Sequence, residues 1–499
     1  MMLEFSHHGR RVGTLVTSCL YTTLLAGAYF GWGPFQLLLE QNGNFHSKCS
    51  SEDVCSEQKA ALLRIPSISQ AIALGLSPVF GWIADRGSKY VVYVMTFCFI
   101  GGLGLVLVAA QLLMDLLILP GFMLFAMGAV CGSNLTVQSG MIFVGETRSR
   151  IIFVLNNLYD AGAITPLLLW YLTQWIPSLT MTAIFGGYII LAVLILAPAC
   201  LFWSTVTPID QITDSENDVE YAKDECVAQE TEDTSYIKDT SETPEKPPTD
   251  NIIEETNLSD KKEDIEGARD HDETEIKTSS DQEENLVVSV YTSISQRPSS
   301  EQLLSRPFIL LCIYFGIQIA TNLWTLATAR DFLAYLGDDE FNNRYLTIFI
   351  LLTPASIIGV PFVDYVVRNY GYHGGMQTIN VLSISQGIVK VASSNLNVQI
   401  LGFVLFSFFR SFLFAVVFAF VPTFLGSKTV GKGIGILTFS SIITFINAPI
   451  SNVVVTKLDG NFFWPNLAYT LLGIPCIGVA WFIERDMKID RAARKQNQT

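Results

Sequence analysis

Twelve stretches of this 499-residue chain are apolar over about 20 residues each, the length an α-helix needs to cross the hydrocarbon core of a bilayer. They lie near 12–39, 60–83, 91–113, 116–140, 151–175, 180–203, 307–330, 344–366, 376–394, 398–425, 432–456 and 462–483. A helix satisfies its own backbone polar groups, which lipid cannot do for it. The pattern therefore predicts an all-α integral membrane protein. The runs near 344–366 and 376–394 are the least clear, being short or interrupted by polar residues. The first run has the basic flank of a signal peptide, but it is too long for one and no small-residue cleavage site follows. It is expected to stay as the first helix.

Charge divides the chain further. Residues 204–305 hold 28 of the 46 acidic residues and 8 of the 31 basic ones, so the rest carries 18 acids and 23 bases. The formal charge of −15 belongs to that one segment and does not imply a basic partner. Only 15% of all residues are charged, against roughly 25% in a soluble protein. Short loops carry the orientation signal. Arg10, Arg11, Arg86, Lys89, Arg148, Arg150, Arg368, Lys428 and Lys432 fall on one side, and the opposite loops are net acidic. Both termini are thus expected in the cytoplasm, with the plasma membrane as the default location and an intracellular membrane as the alternative.

The expected organisation is a six-helix bundle over 1–205, an acidic disordered cytoplasmic loop over 206–304, a second six-helix bundle over 305–486 and a tail over 487–499. The loop is rich in Asp, Glu, Ser and Thr and poor in aromatics, a composition that buries too little apolar surface to fold alone. It reads as a solvated tether, or as a regulatory segment open to a kinase.

The two halves share a motif. "SPVFGWIADRGSKY" at 77–90 and "IIGVPFVDYVVRNYGY" at 357–372 each place a glycine, then an aspartate at the helix exit, then a basic residue. This repeat, at half-chain spacing, resembles the loop between helices 2 and 3 of the major facilitator superfamily, although that loop usually holds more basic residues. The resemblance implies two pseudo-symmetric six-helix bundles. A carboxylate at such a position can meet an Arg or the positive N-terminal end of a facing helix. Asp85 is expected at the start of helix 11 and Asp364 at the start of helix 5. With Arg86, Arg148 and Arg150 they would form a latch that exists in one conformation and breaks in the other.

Three further stretches narrow the likeness: "GAYFGWGPFQLLLEQNGNFHSKC", "NLTVQSGMIFVGETRSRIIFVLNNLYDAGA" and "FFRSFLFAVVFAFVPTFLGSKTVGKGIG". They resemble the solute carrier 43 family and its fungal relatives over most of both halves, but not in the acidic loop. That resemblance implies facilitated transport of large neutral amino acids, with one branch carrying purine nucleobases.

Candidate ligands are the polar groups that are costly in a bilayer. Asp160 lies roughly 15 Å from the cytoplasmic end of helix 5 at 1.5 Å per residue, with Asn156 on the same face one turn earlier. Arg410 in helix 10 sits at comparable depth. The two could bind the ends of a zwitterion or form an internal salt bridge, or Asp160 could bind a proton or simply hold its helix in place. Gln318 and Asn322 share a face of helix 7. Together with Gln138 and Gln386 they are either ligands or interhelical hydrogen bonds. Tyr29 and Trp32 flank a glycine stripe in helix 1 that suits close packing or an outer gate. Cys49 and Cys55, in the first extracytoplasmic loop, suit a short disulfide in an oxidising compartment.

No Walker pattern, metal geometry or nucleophile–base pair is evident, so no enzyme, cofactor or nucleic-acid partner is expected. The expected partners are a small neutral solute and the lipid bilayer. The leading expectation is facilitated, alternating-access transport of large neutral amino acids. The alternatives are proton-coupled symport of amino acids or nucleobases, or a transporter-like nutrient sensor.

Overall fold

The computed structural model describes residues 7–48, 56–143, 146–205, 293–341, 344–458 and 461–496, which are helical nearly throughout. The expected Cys49–Cys55 disulfide and the acidic segment over 206–292, with any kinase site in it, lie outside the described residues.

Helix α1 begins as His7–Tyr21, passes through a π turn, Thr22–Ala26, and a 3-10 turn, Gly27–Phe30, and resumes as Trp32–Gln41. Helix α2 is Ser56–Gly75 plus Ser77–Arg86, bent by 43° between them. Helices α3 (Ser88–Leu112) and α4 (Asp115–Gly140) follow, then α5 in two pieces, Glu146–Ala161 and Ile164–Trp175, and α6 (Met181–Thr205). The second half starts with α7 (Arg306–Tyr335). Helix α8 runs through Arg344–Leu352 and the 3-10 turn Thr353–Gly359 into Val360–Ala392, a stretch that breaks at Gly371 and continues from there as α9. Helix α10 is Leu396–Phe424. Helix α11 is Val430–Phe439, the 3-10 turn Ser440–Ile446 and Asn447–Lys457, and α12 is Phe463–Gln496.

Among the described residues, ten helices are each long and apolar enough to cross a membrane, and the bent pair in α2 makes an eleventh. The twelfth comes from dividing the 49-residue span Arg344–Ala392. Unbroken, it would be about 74 Å long at 1.5 Å per residue, more than twice the ~30 Å hydrocarbon core. Gly371 interrupts it with φ 66° and ψ −177°, a conformation open essentially to glycine alone. A Cβ placed on Gly375 would lie 3.4 Å from Cγ2 of Val367. Eight residues of straight helix would hold those positions about 12 Å apart, so the chain doubles back at Gly371.

Besides α1, breaks occur in α2, α5, α8 and α11, and each of these four carries a proline at or beside its break: Pro78, Pro166, Pro354 and Pro449. Proline removes a helix N–H and crowds the preceding turn. Such breaks survive in a membrane only where protein or a cavity, not lipid, faces the freed backbone. α2 and α8 occupy matching places in the two halves, as do α5 and α11.

One apolar core fills the first half, around Phe35, Phe99, Phe122, Phe125 and Phe185. A second fills the other half, around Tyr314, Trp324, Phe406 and Phe418. Large apolar side chains such as Phe97, Leu116, Leu194 and Val381 point outward and remain exposed, as a lipid-facing surface requires. An even number of spans puts both chain ends on one face, called here the termini face.

Two stretches are more ordered than composition suggests. Residues 293–304, expected to close the tether, pack on the termini face with Ile294 buried. The expected tail from 487 continues α12 as helix to Gln496, with Met487 and Asp490 buried. The carboxylate of Asp490 accepts the backbone N–H of Ile294 at 2.8 Å, so each stretch orders the other.

Gly371→Val is expected to destabilise the protein by about 1–3 kcal/mol through backbone strain. Gly104→Val, where a Cβ would meet nothing within 4 Å, should leave the melting temperature of the detergent-solubilised protein nearly unchanged. Equal melting of the two variants would remove Gly371 as the obligatory turn.

Candidate functional site: a cavity between two helical halves

A cavity of about 60 Å³ lies between the halves, walled by α1, α2, α4 and α5 on one side and α7, α10 and α11 on the other. Six aromatic rings form much of its wall: Tyr29, Phe30, Tyr159, Phe315, Phe414 and Phe418. Its polar members are Gln70, Ser133, Asn156, Thr438 and Ser441, and no carboxylate, ammonium or guanidinium lines it. Several wall donors are already committed. Tyr29 Oη donates to the Pro66 carbonyl at 2.9 Å, Asn156 Nδ2 to Ile152 at 2.9 Å and Ser133 Oγ to Val130 at 2.8 Å. Thr438 Oγ1 is buried without a partner among the described residues. The Asn156 carbonyl oxygen and the Gln70 carboxamide also remain for a solute.

Behind this wall sits an ion pair that joins the halves. Arg410 Nη2 on α10 donates to Asp160 Oδ1 on α5 at 2.8 Å, and both side chains are 1% exposed. Arg410 Nη1 lies 3.4 Å from Asn322 Oδ1 on α7. The guanidinium faces the rings of Phe30 and Phe414 at 5.1 and 5.6 Å, two of the cavity's own residues. Charge over an aromatic face is favourable, so the rings shield the pair while holding it against the cavity. The network is only half satisfied: Asp160 Oδ2, Arg410 Nε and Asn322 Nδ2 are buried without partners among the described residues. Close approach of α1 to α5 positions Phe30 there. A Cβ on Gly27 would lie 2.7 Å from the Cα of Gly162, so only a small residue fits.

The structure sorts the expected ligands into three groups. Tyr29 and Asn156 are on the cavity wall, and Asp160, Arg410 and Asn322 meet just behind it. Trp32, Gln138, Gln318 and Gln386 are elsewhere. Trp32 packs edge-on against Phe122 at 5.0 Å inside the first half. Gln138 accepts from Ser88 Oγ at 3.4 Å, near the termini face. Gln318 donates to Asn380 on α9 at 2.8 Å, a bond inside the second half. Gln386 is buried on α9 and does not line the cavity. Sequence reasoning missed Gln70, a lone glutamine in an apolar helix of the kind that singled out Gln138.

The termini face is closed by two sets of contacts. Asp85 at the end of α2 accepts from the backbone N–H groups of Gly431 at 2.6 Å and Lys432 at 3.0 Å, while Lys432 Nζ lies 3.8 Å away. These N–H groups belong to the first turn of α11, which has no side-chain cap of its own. The carboxylate therefore fills, from the other half, the place of a helix N-cap. Glycines allow the approach: a Cβ on Gly435 would lie 2.6 Å from the Ser77 carbonyl oxygen, and one on Gly431 the same distance from that of Gly81.

At the matching place, Asp364 meets the start of α5 through side chains and not through backbone N–H groups. It pairs with Arg150 on α5 at 3.4 Å and with Arg368 at 3.0 Å, and Glu146 joins both arginines at 3.0 and 3.3 Å. Arg86 lies over the Trp82 ring at 3.4 Å, and Arg148 donates to the Phe143 carbonyl of its own loop. Extensive packing between the halves is confined to this side and the middle. The outer pieces Trp32–Gln41, Ile164–Trp175, Arg344–Leu352 and Asn447–Lys457 pack mainly within their own half.

No family model matches the chain. Protein FMP42 of Saccharomyces cerevisiae is 21% identical over 451 residues, covering 86% of this chain and 85% of that protein. Among solved structures, the human organic anion transporter MFSD10 (TETRAN) superposes with a TM-score of 0.60 at 13% identity, covering 94% of this chain and 99% of that one. A variant of the E. coli fucose:proton symporter FucP gives 0.58 at 13%, covering 94% and 98%. The proton:xylose symporter XylE, bound to 6-bromo-6-deoxy-D-glucose, gives 0.58 at 12%, covering 96% of each chain. The chain thus has the major facilitator fold and is an integral, multi-pass membrane protein.

Removing one partner of a buried ion pair costs about 3–5 kcal/mol, whereas replacing both by apolar groups is often neutral. Arg410→Met alone should therefore lower the thermal stability of solute-free protein sharply, and Asp160→Leu with Arg410→Met should recover most of the loss. Additive losses would show that the two charges do not sense each other.

Proposed function

We propose that the protein carries a small, net-neutral organic solute across its membrane by alternating access, and that the solute is a large neutral amino acid. The observation that carries this reading is the half-satisfied ion pair beside an uncharged aromatic cavity. A zwitterion has the same two charges as the pair and the same net charge of zero. Its ammonium can take the open oxygen of Asp160 and its carboxylate the open N–H of Arg410, while the aromatic walls take an apolar side chain. Asp160 sits on α5 and Arg410 on α10, so a solute bound to both spans the seam along which the halves would part. Such a solute substitutes for the link between halves and needs no obligatory ion. The fold and the resemblance to amino acid facilitators of the solute carrier 43 family support the same reading. In this frame the termini face is cytoplasmic, and the membrane is the plasma membrane by default.

A second reading has its own support. The cavity wall is uncharged and carries the carboxamides of Gln70 and Asn156 among six rings, which suits a planar nucleobase that never reaches the ion pair. Proton coupling would use the same pair, with a proton replacing Arg410 on Asp160.

Uptake of labelled leucine and adenine, measured at neutral and acidic external pH, separates these. The expected result is saturable leucine uptake insensitive to pH and reduced about tenfold to hundredfold by Arg410→Ala, the loss expected for one hydrogen bond to a charge. Adenine uptake alone would favour the nucleobase reading. Uptake that rises in acid and is lost in Asp160→Asn would establish proton coupling. Transport of neither solute would overturn the amino acid assignment.

A further inference from the structure

Residues 293–304 connect the acidic segment to α7, and the structure gives them a defined path. They form a 3-10 turn, Ile294–Gln296, and a short helix, Ser299–Leu303, that opens after Pro298. The start of this strap is pinned to α12, where Asp490 takes the Ile294 N–H and lies 3.4 Å from Ser293 Oγ. Its far end is pinned elsewhere. Gln302, buried, donates to the carbonyls of Ser295 at 3.1 Å and Arg297 at 2.7 Å. Its side-chain oxygen, Oε1, accepts the backbone N–H of Gly426 at 2.9 Å. Ser299 Oγ lies 2.8 Å from Thr429 Oγ1.

Gly426 and Thr429 belong to the short link between α10 and α11. Thr429 immediately precedes the first turn of α11, and two residues later begin the N–H groups that Asp85 holds from the other half. The strap therefore grips the link from one flank while Asp85 grips the helix start from the other. A link left loose would have to be ordered each time the latch closes, and that entropy would count against the closed state. A link already fixed presents Gly431 and Lys432 in the register the carboxylate needs.

We propose that the strap is a built-in part of the gate, with Ser299 and Gln302 as positioning residues that hold the start of α11 ready for Asp85. This rests on reading the Asp85 contact as a gate and does not depend on which solute is carried.

The test is access to the cavity from the termini face. Full-length protein carrying a reporter, Thr438→Cys on the cavity wall, is labelled in inside-out vesicles with a membrane-impermeant maleimide and scored against the same protein without the reporter. Ser299→Ala and Gln302→Ala are each expected to raise the labelling rate about fivefold, the population change one hydrogen bond supports. Ser299→Thr keeps the hydroxyl and should return the parent rate, which a purely steric role would not do. Asp85→Ala should raise the rate further. If Asp85→Ala raises labelling while Ser299→Ala and Gln302→Ala stay at the parent rate, the strap has no part in the gate. If Ser299→Thr labels as fast as Ser299→Ala, the hydroxyl contact is not what positions the link. No change in any variant would overturn both gate and strap. Leucine uptake is not read in this assay, so failure of the amino acid assignment leaves it intact.

Discussion

One ion pair sets the terms for the rest of this molecule. Asp160 and Arg410 are each expensive in a bilayer, and either alone would have to be neutralised or hydrated. Together they are tolerable, provided the two helices that carry them stay in contact at mid-depth. That requirement ties α5 of one half to α10 of the other. It also explains the aromatic wall. Phe30 and Phe414 cover the guanidinium on its cavity side, keeping water off a charge that must remain strong to be useful.

The two sets of contacts on the termini face show that pseudo-symmetry of sequence does not enforce symmetry of contact. Asp85 has bare glycine-bearing helix in front of it, so its oxygens reach backbone N–H groups directly. Asp364 faces a helix start carrying Arg150, whose long side chain meets the carboxylate before the backbone can, and Glu146 pairs with that arginine. The first arrangement is partly buried and short-range, and the second is exposed and screened by salt. Of the two, the Asp85 contact contributes more to the closed state.

Much of the fold was legible because a bilayer leaves a chain few options. Runs of about 20 apolar residues can only be spans, and Asp85 and Asp364 mark helix exits in both halves. The uncertain runs near 344–366 and 376–394 are where the backbone is irregular: the 3-10 turn at Thr353–Gly359 and the reversal at Gly371 both scramble a helical period. Asp160 and Arg410 were legible as costly charges, and the structure adds that they meet. Gln318 and Gln386 carried the same signal but are absorbed inside the second half. The wall residues Ser133, Thr438 and Phe418 carried none, since in a membrane helix these residue types serve packing as readily as binding. Gln70 stood between, visible by type but without a neighbour in sequence to mark it.

The pieces into which the helices are broken connect the termini-face contacts to the cavity. Glu146–Ala161 carries Arg150 at one end and Asn156, Tyr159 and Asp160 toward the other. Val430–Phe439 carries the N–H groups held by Asp85 and, two turns on, Thr438. Each is a short rod with a break just beyond its cavity end, so displacing its termini-face end would displace the wall by a comparable distance without bending the outer piece. An unbroken helix would have to move as a whole and drag its outer half with it. The prolines beside these breaks therefore do more than relieve packing. They let one face of the molecule be sealed while the outer pieces keep to their own halves, the asymmetry that the proposed carrier cycle would use.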